Sequence, residues 1–256
     1  DLHSFPTRRS SDLDLQIPPY TILALTQAKA NGHKVFIATG RPPIIITNLG
    51  AIEHLIDGYV TTNGALCFIG KKTVSCHAIP KDAAQLIVDD SRKKNYGLIV
   101  VGVKDVAVLD PNGDVDRIFR QHLAVKNLDL AKPVEEVLQQ GVLQMTPFFP
   151  ESYEAELMAR IPSCTSGRWH PEFTDITVKQ ADKGQGLLAI AEQEGLDPKF
   201  TMAFGDGGND TSMILQAGIG VAMGNAIDAL QHHADYVTTS VDDEGIANAL
   251  RLLHII

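Results

Sequence analysis

Gly205-Asp206-Gly207-Gly208-Asn209-Asp210 follows the apolar stretch Thr201 to Phe204 and precedes a helical pattern at Thr211 to Ala217. A short buried strand that ends in glycines delivers its next side chains to the carboxyl edge of a parallel sheet, where open α/β proteins bind ligands. Asp206 and Asp210 are therefore expected to face a crevice. Carboxylates packed that closely repel each other unless a cation or a lysine neutralises them, and hard oxygen ligands suit magnesium. The plainer reading of the same stretch is a glycine-rich turn with a capping aspartate.

Two upstream stretches favour a phosphate-handling metal site over that turn. Lys34 to Ala38 reads as a second buried strand and runs into Thr39, Gly40, Arg41 and a helix-opening Pro42. Backbone donors and a hydroxyl at a helix N-terminus cradle an anion. Lys183, followed by Gly184 and the helical run Gln185 to Glu194, sets a cation at the start of another helix, where it neutralises phosphoryl charge. Alone, each of these two is ordinary helix-start chemistry. Together with the glycine-rich run, and in order at strand ends, they point to one pocket.

Strand and helix patterns alternate along the chain, which calls for a parallel sheet covered on both faces. The pattern predicts helices over 18–31 and 42–56, strands over 34–38 and 58–62, and a hairpin over 65–76. Near Pro80 it changes. A helix over 81–95 leads into adjacent strands at 96–103 and 105–109. Helices at 114–122, 134–140 and 152–161, a strand at 142–149 and strands through 165–179 follow, which makes a separate sheet. Beyond Lys183, strands at 219–223 and 236–239 and helices at 225–234 and 243–254 complete the first one. Hinges are expected near Ile79 to Lys81 and Val178 to Asp182.

With 256 residues, 44% hydrophobic and 21% charged, the chain can bury one sizeable core and a smaller one. A net charge of −9 disfavours nucleic acid, whose binders carry clustered basic stripes. Small anionic substrates stay compatible, because a local pocket can be positive on an acidic surface. No apolar run approaches the length of a membrane span and no export signal is evident, so no membrane partner and a cytoplasmic location are expected. Cys67, Cys76 and Cys164 lack metal-ligand spacing. Cys67 and Cys76 lie equally far from the centre of a hairpin turning at Lys71 and Lys72, but buried filler is the better reading than a disulfide.

The three motifs resemble, in order and spacing, the haloacid dehalogenase (HAD) superfamily, in particular the Cof-type subfamily IIB phosphatases with a large α/β cap. The resemblance runs from Ile17 to Ile256. It is strengthened by IPPYT, by Asn63-Gly64-Ala65, by Arg168-Trp169-His170-Pro171, and by the run from Gly218 to Ala226. It implies an α/β fold: a Rossmann-like doubly wound parallel sheet over 14–80 and 180–256, with an inserted α/β cap over 81–179. It also implies hydrolysis of small phosphorylated metabolites, sugar phosphates above all, with Mg2+ and an aspartyl-phosphate intermediate. By matching motif, Thr39 and Gly40 hold the phosphoryl group, Lys183 contacts it, Asp206 binds magnesium, Asn209 touches substrate and Asp210 supports Lys183 or the metal shell. Arg168 and Trp169, near the end of the cap, are candidates for substrate contact. A monomer or small homo-oligomer is expected.

The chain departs from that family at one place. The family's DxDGT motif, which carries the nucleophile and the acid/base aspartate, is absent. Ser4 to Ser11 shows neither alternation nor an apolar run. Asp12-Leu13-Asp14 imitates the spacing of the aspartate pair, but no Gly-Thr follows and Ile17 comes too soon, so the pair is read as a chance match. His3 to Leu13 resembles a translated sequencing adapter, and 1–13 is taken as a non-native segment replacing the motif. The printed molecule is accordingly expected to be impaired. A receiver domain is far shorter, and P-type ion pumps with a similar GDGxND stretch need membrane helices. The competing readings kept open are a catalytically inactive phosphate-sugar binding protein and a phosphotransferase or mutase of the same superfamily.

Overall fold

The structure, a computed structural model, describes residues 2–3, 17–46, 49–118 and 132–256, with the backbone alone for Leu2, His3 and Trp169. The expected aspartate pair Asp12 and Asp14 lies outside the described residues, as do most of the adapter-like segment and the end of the helix expected at 114–122. The chain divides into two compact units: Asp1–Arg41 with Ile46–Cys76 and Asp182–Ile256, and Pro42–Ile45 with His77–Ala181.

The first unit is built on strands β1 (Leu2–His3), β2 (Val35–Ala38), β3 (Ile56–Thr61), β4 (Leu66–Ile69) and β5 (Lys72–Cys76). The later part of the chain adds β11 (Met202–Gly205), β12 (Ile219–Ala222) and β13 (Tyr236–Val237). They form one sheet in the order β13-β12-β11-β1-β2-β3-β4-β5. All but β4 and β5 run parallel. Strands buried on both faces need no alternation, and the four residues of β2 and of β11 are all buried.

Helices cover the sheet on both sides. The helices α5 (Lys183–Glu194), α6 (Thr211–Gln216) and α7 (Asp228–Gln231) supply Leu187, Ile190, Met213, Ile214 and Leu230 to a cluster with Phe36, Val60 and Ala203. On the other side, α1 (Pro19–Ala30) and α8 (Gly245–Leu252) bury Ala24, Ile246 and Leu250 against Phe204 and Val221. This is the doubly wound α/β arrangement expected.

Some elements differ from the sequence pattern. The described parts of 42–56 form only 3-10 turns at Pro43–Ile45 and Glu53–Leu55, not an α-helix. Two consecutive prolines remove two amide donors, and the β-branched run from Ile44 with Gly50 beyond it gives poor helix propensity. The helix expected at 225–234 shrinks to α7, four residues long. Cys67 pairs with Ser75 while Leu66 pairs with Cys76, so the two cysteines do not face each other; Cys67 is buried, Cys76 exposed, and both are free.

The slot between β2 and β11 is filled, although 1–13 carries no strand signal beyond its first residues. Leu2 and His3 pair in parallel with Phe36 and Ile37 on one side and with Ala203 and Phe204 on the other. Ladder bonds use backbone groups alone, and an empty slot would leave two rows of them unpaired in the middle of the sheet. Any short extended segment serves that need, whatever its side chains.

The second unit has helices α2 (Lys81–Lys94), α3 (Val134–Leu138) and α4 (Glu151–Arg160), with strands β6 (Leu98–Gly102), β7 (Val106–Leu109), β8 (Val142–Pro147), β9 (Cys164–His170) and β10 (Phe173–Val178). Its sheet is antiparallel, in the order β7-β6-β8-β10-β9. Asp90 anchors the helical side: Tyr96 donates to it at 3.0 Å, Tyr153 at 2.8 Å and Arg160 at 2.6 Å. Burial pushes the Asp90 carboxyl up, but these three donors together hold it below the ordinary range.

The close seating of α5 on the first sheet is testable. A Cβ on Gly186 would lie 2.5 Å from Val60 Cγ1 and 3.1 Å from Cys67 Sγ. Gly186→Val is expected to lower stability by about 1–3 kcal/mol through overpacking, read as a lower urea midpoint at unchanged slope.

Candidate active site

The carboxyl ends of β2, β3 and β11 bring most of the motif residues together. At the end of β11, Gly205 passes so close to Asp210 that a Cβ there would lie 2.5 Å from the Asp210 Cβ. Only glycine allows the chain to fold back in this way. The Asp210 Oδ2 atom then accepts from the backbone N–H of Asp206 and of Gly207, both at 3.0 Å. Its Oδ1 accepts from the Lys183 Nζ at 2.6 Å. Lys183 opens α5, whose N-cap Asp182 accepts from the Gln185 N–H at 2.9 Å.

This ion pair is almost fully enclosed, with side-chain exposures of 3% for Lys183 and 1% for Asp210. Burial raises the Asp210 pKa, but the Lys183 charge, the hydrogen bond from it and the two backbone N–H groups outweigh burial and hold the carboxyl below its ordinary value. The ammonium has three donors and Asp210 takes one. A buried cation with a single acceptor favours an anion beside it.

The β2 side is tied to the β11 side through Asn63. Thr39 donates its N–H to the Val60 carbonyl at 2.8 Å, and its own carbonyl accepts from the Asn63 N–H at 3.1 Å. The Arg41 N–H donates to the Thr39 hydroxyl oxygen at 3.1 Å. Asn63 Oδ1 accepts from Asn209 Nδ2 at 3.0 Å and would lie 3.0 Å from a Cβ on Gly40. Thus Thr39, Gly40 and Asn209 share one neighbour, and Asp206, Asp210 and Lys183 share another contact set one residue along the chain. The α-helix N-terminus expected after Arg41 is not formed: a 3-10 turn at Pro43–Ile45 stands there instead.

The sequence offers Asn63 only as part of a resemblance, and Thr62 only as the end of the strand expected at 58–62. Both have φ of 53°, and Thr62 is a β-branched residue held in the left-handed region. Its hydroxyl oxygen is also buried without a hydrogen-bond partner. Strain of about 1–3 kcal/mol persists only where surroundings over-determine it, commonly beside functional sites. Asparagine before glycine was the available signal, since that pair tolerates left-handed backbone.

Arg168 lies in the second unit. Its Nε donates to Glu154 Oε2 at 2.6 Å, and its other nitrogens donate to the carbonyls of Pro171 at 3.1 Å and Phe149 at 3.3 Å. The structure thus gives this guanidinium protein partners on every nitrogen. The Trp169 side chain lies outside the described ones.

Magnesium calls for several hard oxygen donors around one point. Asp206 stands at the expected strand end, but Asp210 spends its oxygens on Lys183 and two backbone amides. No group of three His, Cys, Asp or Glu side chains among the described residues is placed to hold a metal ion. The described residues therefore do not make a complete magnesium site.

Parallel strands ending in a glycine-rich loop that holds a buried lysine–aspartate pair define an α/β protein of the doubly wound class. The chain belongs to the haloacid dehalogenase-like hydrolase family, which matches residues 12–250. A solved structure described as a HAD subclass IIB sugar phosphatase is 41% identical, covers 100% of this chain and 98% of its own, and superposes with a TM-score of 0.88. A phosphatase of the same superfamily from Bacteroides thetaiotaomicron is 29% identical over 100% of this chain and 94% of its own, with a TM-score of 0.86. The 5-amino-6-(5-phospho-D-ribitylamino)uracil phosphatase YitU of Bacillus subtilis is 27% identical over 93% of this chain and 91% of its own length. No described helix is long and apolar enough to cross a membrane.

Asp210→Asn tests the ion pair. It leaves the Lys183 ammonium buried without a charged partner and is expected to cost about 3–5 kcal/mol. Because the folded Asp210 pKa is depressed, its stabilisation is complete above the unfolded value near ~4 and fades as pH falls through the folded one. Urea titrations from pH 7 downward should show that loss in the parent chain and not in the variant.

Proposed function

We propose that the protein is, by descent and architecture, a magnesium-dependent phosphomonoester hydrolase for small phosphorylated metabolites, sugar phosphates foremost. The reading is supported chiefly by the buried Lys183 ammonium, which has one carboxylate partner beside a loop of backbone donors. In this reading Lys183, the Thr39 hydroxyl and the Gly40 backbone hold the phosphoryl oxygens, Asn209 meets the substrate, and Asp210 fixes Lys183. Asp206 serves as a metal ligand, and the second unit acts as a cap that selects the leaving group. Cytoplasmic location belongs to the same reading.

The chemistry needs two further carboxylates. One attacks phosphorus as the ester P–O bond breaks and forms an aspartyl-phosphate; the other protonates the departing alkoxide and then takes a proton from the water that releases phosphate. The sequence offers none in the matching place. His3 pairs with Ile37 and Phe204, two positions before Thr39 and Asp206, and the sequence contains no DxDGT motif. That observation favours, for the chain as printed, a second reading as a binder of phosphorylated sugars without turnover.

Replacing 1–13 with a family-like strand ending in DxDGT is expected to produce magnesium-dependent phosphate release from a panel of sugar phosphates. The printed chain should show at most a trace. In the restored enzyme Lys183→Met should lower kcat by about 10²-fold or more, as for loss of one donor to transition-state charge. A restored, folded chain without metal-dependent activity on any phosphomonoester would favour the binding reading instead.

A further inference from the structure

We infer that the side-chain amide of Asn63 donates to the anion held at this sheet edge, as a further binding group beside Lys183. The inference rests on the phosphoryl reading above and adds to it a residue that the motif match leaves without a role. Asn63 lies in the turn Thr62–Gly64 that follows β3, and its φ of 53° is one that asparagine adopts more readily than most residues.

That turn is packed against three parts of the edge at once. The Asn63 N–H donates to the Thr39 carbonyl at 3.1 Å. A Cβ built on Gly40 would have as its three nearest atoms the Asn63 Oδ1 at 3.0 Å, Nδ2 at 3.3 Å and Cγ at 3.4 Å, so the amide lies broadside against Gly40. The next residue, Gly64, passes the backbone so closely that a Cβ on it would lie 2.2 Å from the Asp182 carbonyl oxygen, and Lys183 follows Asp182 directly. Asn63 is thereby set among the segments that carry the Thr39 hydroxyl, the Gly40 amide and the Lys183 ammonium.

The side chain is oriented but only half used. Asn209 Nδ2 donates to its Oδ1 at 3.0 Å, which fixes the amide and leaves the nitrogen as the free end. Among the described residues no acceptor takes either Nδ2 hydrogen. Solvent reaches the group, for Asn63 and Gly40 are half-buried and Asn209 is exposed. An amide nitrogen only donates, so the partner it takes is an acceptor. Lys183, with one carboxylate partner, makes that acceptor an anionic oxygen. A tie between two loops would need Oδ1 alone, and an aspartate would serve it as well; the two idle donors are what a tie does not use.

The test uses the full chain with inorganic phosphate, followed by proton–nitrogen NMR spectra and by calorimetry. In the parent chain the Nδ2 hydrogens of Asn63, identified by their loss in Asn63→Asp, should move downfield saturably together with the Gly40 backbone amide. Asn63→Gly keeps the left-handed backbone and adds no charge, and should weaken phosphate binding by about tenfold or more. Asn63→Asp keeps an oxygen for Asn209 and should weaken it further, because a carboxylate then meets the anion. Phosphate that moves the Gly40 amide but not the Asn63 side-chain hydrogens overturns the inference and leaves the phosphoryl reading standing, as does parent-like affinity in either variant. Should Asn63→Gly fail to fold, the spectra of the parent chain decide. Movement of the Asn63 hydrogens without the Gly40 amide supports this contact and counts against the cradle of that reading, and phosphate that moves neither overturns both.

Discussion

The Lys183–Asp210 pair is the constraint on which the sheet edge depends. Two opposite charges taken out of water are costly to hold, and the cost is met only when nearly every lone pair and proton has a partner. Asp210 reaches that state by accepting from Lys183 and from two consecutive backbone N–H groups. The pair thereby fixes the course of the Gly205 to Asp210 loop, and the loop in turn sets where Asp206 and Asn209 begin. Lys183 stays one acceptor deep, so the same contact that stabilises the fold leaves a positive charge to be used.

Backbone rather than side chains completes the rest of the edge. The Asn63–Asn209 hydrogen bond joins two loops whose own shapes are set by close approaches, at Gly40 and at Gly205, and by the left-handed turn at Thr62 and Asn63. Such positions accept little variation. They set the geometry of this edge by backbone approach rather than by exchangeable side chains.

Much of this was legible because the signals are local. Strands β2 and β11 are continuous apolar runs ending in Thr39-Gly40 and in the glycine-rich loop, so their burial and their direction follow from composition and punctuation alone. The Lys183–Asp210 contact was one of two roles the resemblance implied for Asp210. What was not legible is long-range. Nothing in Asn63 announces Asn209, because their contact joins two loops that only the strand order brings side by side. The helix expected after Arg41 failed for a different reason: periodicity suggested it, but two prolines and a β-branched run prevented it.

The filled slot beside β2 shows how separable holding and reacting are in this architecture. Central parallel pairing asks only for extended backbone, and Leu2–His3 supplies it in register with Phe36, Ile37, Ala203 and Phe204. On the proposed reading, chemistry asks for two carboxylates in addition, of the kind a DxDGT motif carries, and the sequence contains no such motif. The parts that on the proposed reading neutralise and cradle an anion come from β2, β11 and α5, which lie elsewhere in the chain and have their own buried contacts. On the proposed reading, nucleophile and acid/base belong to one segment, and the groups that hold an anion belong to others.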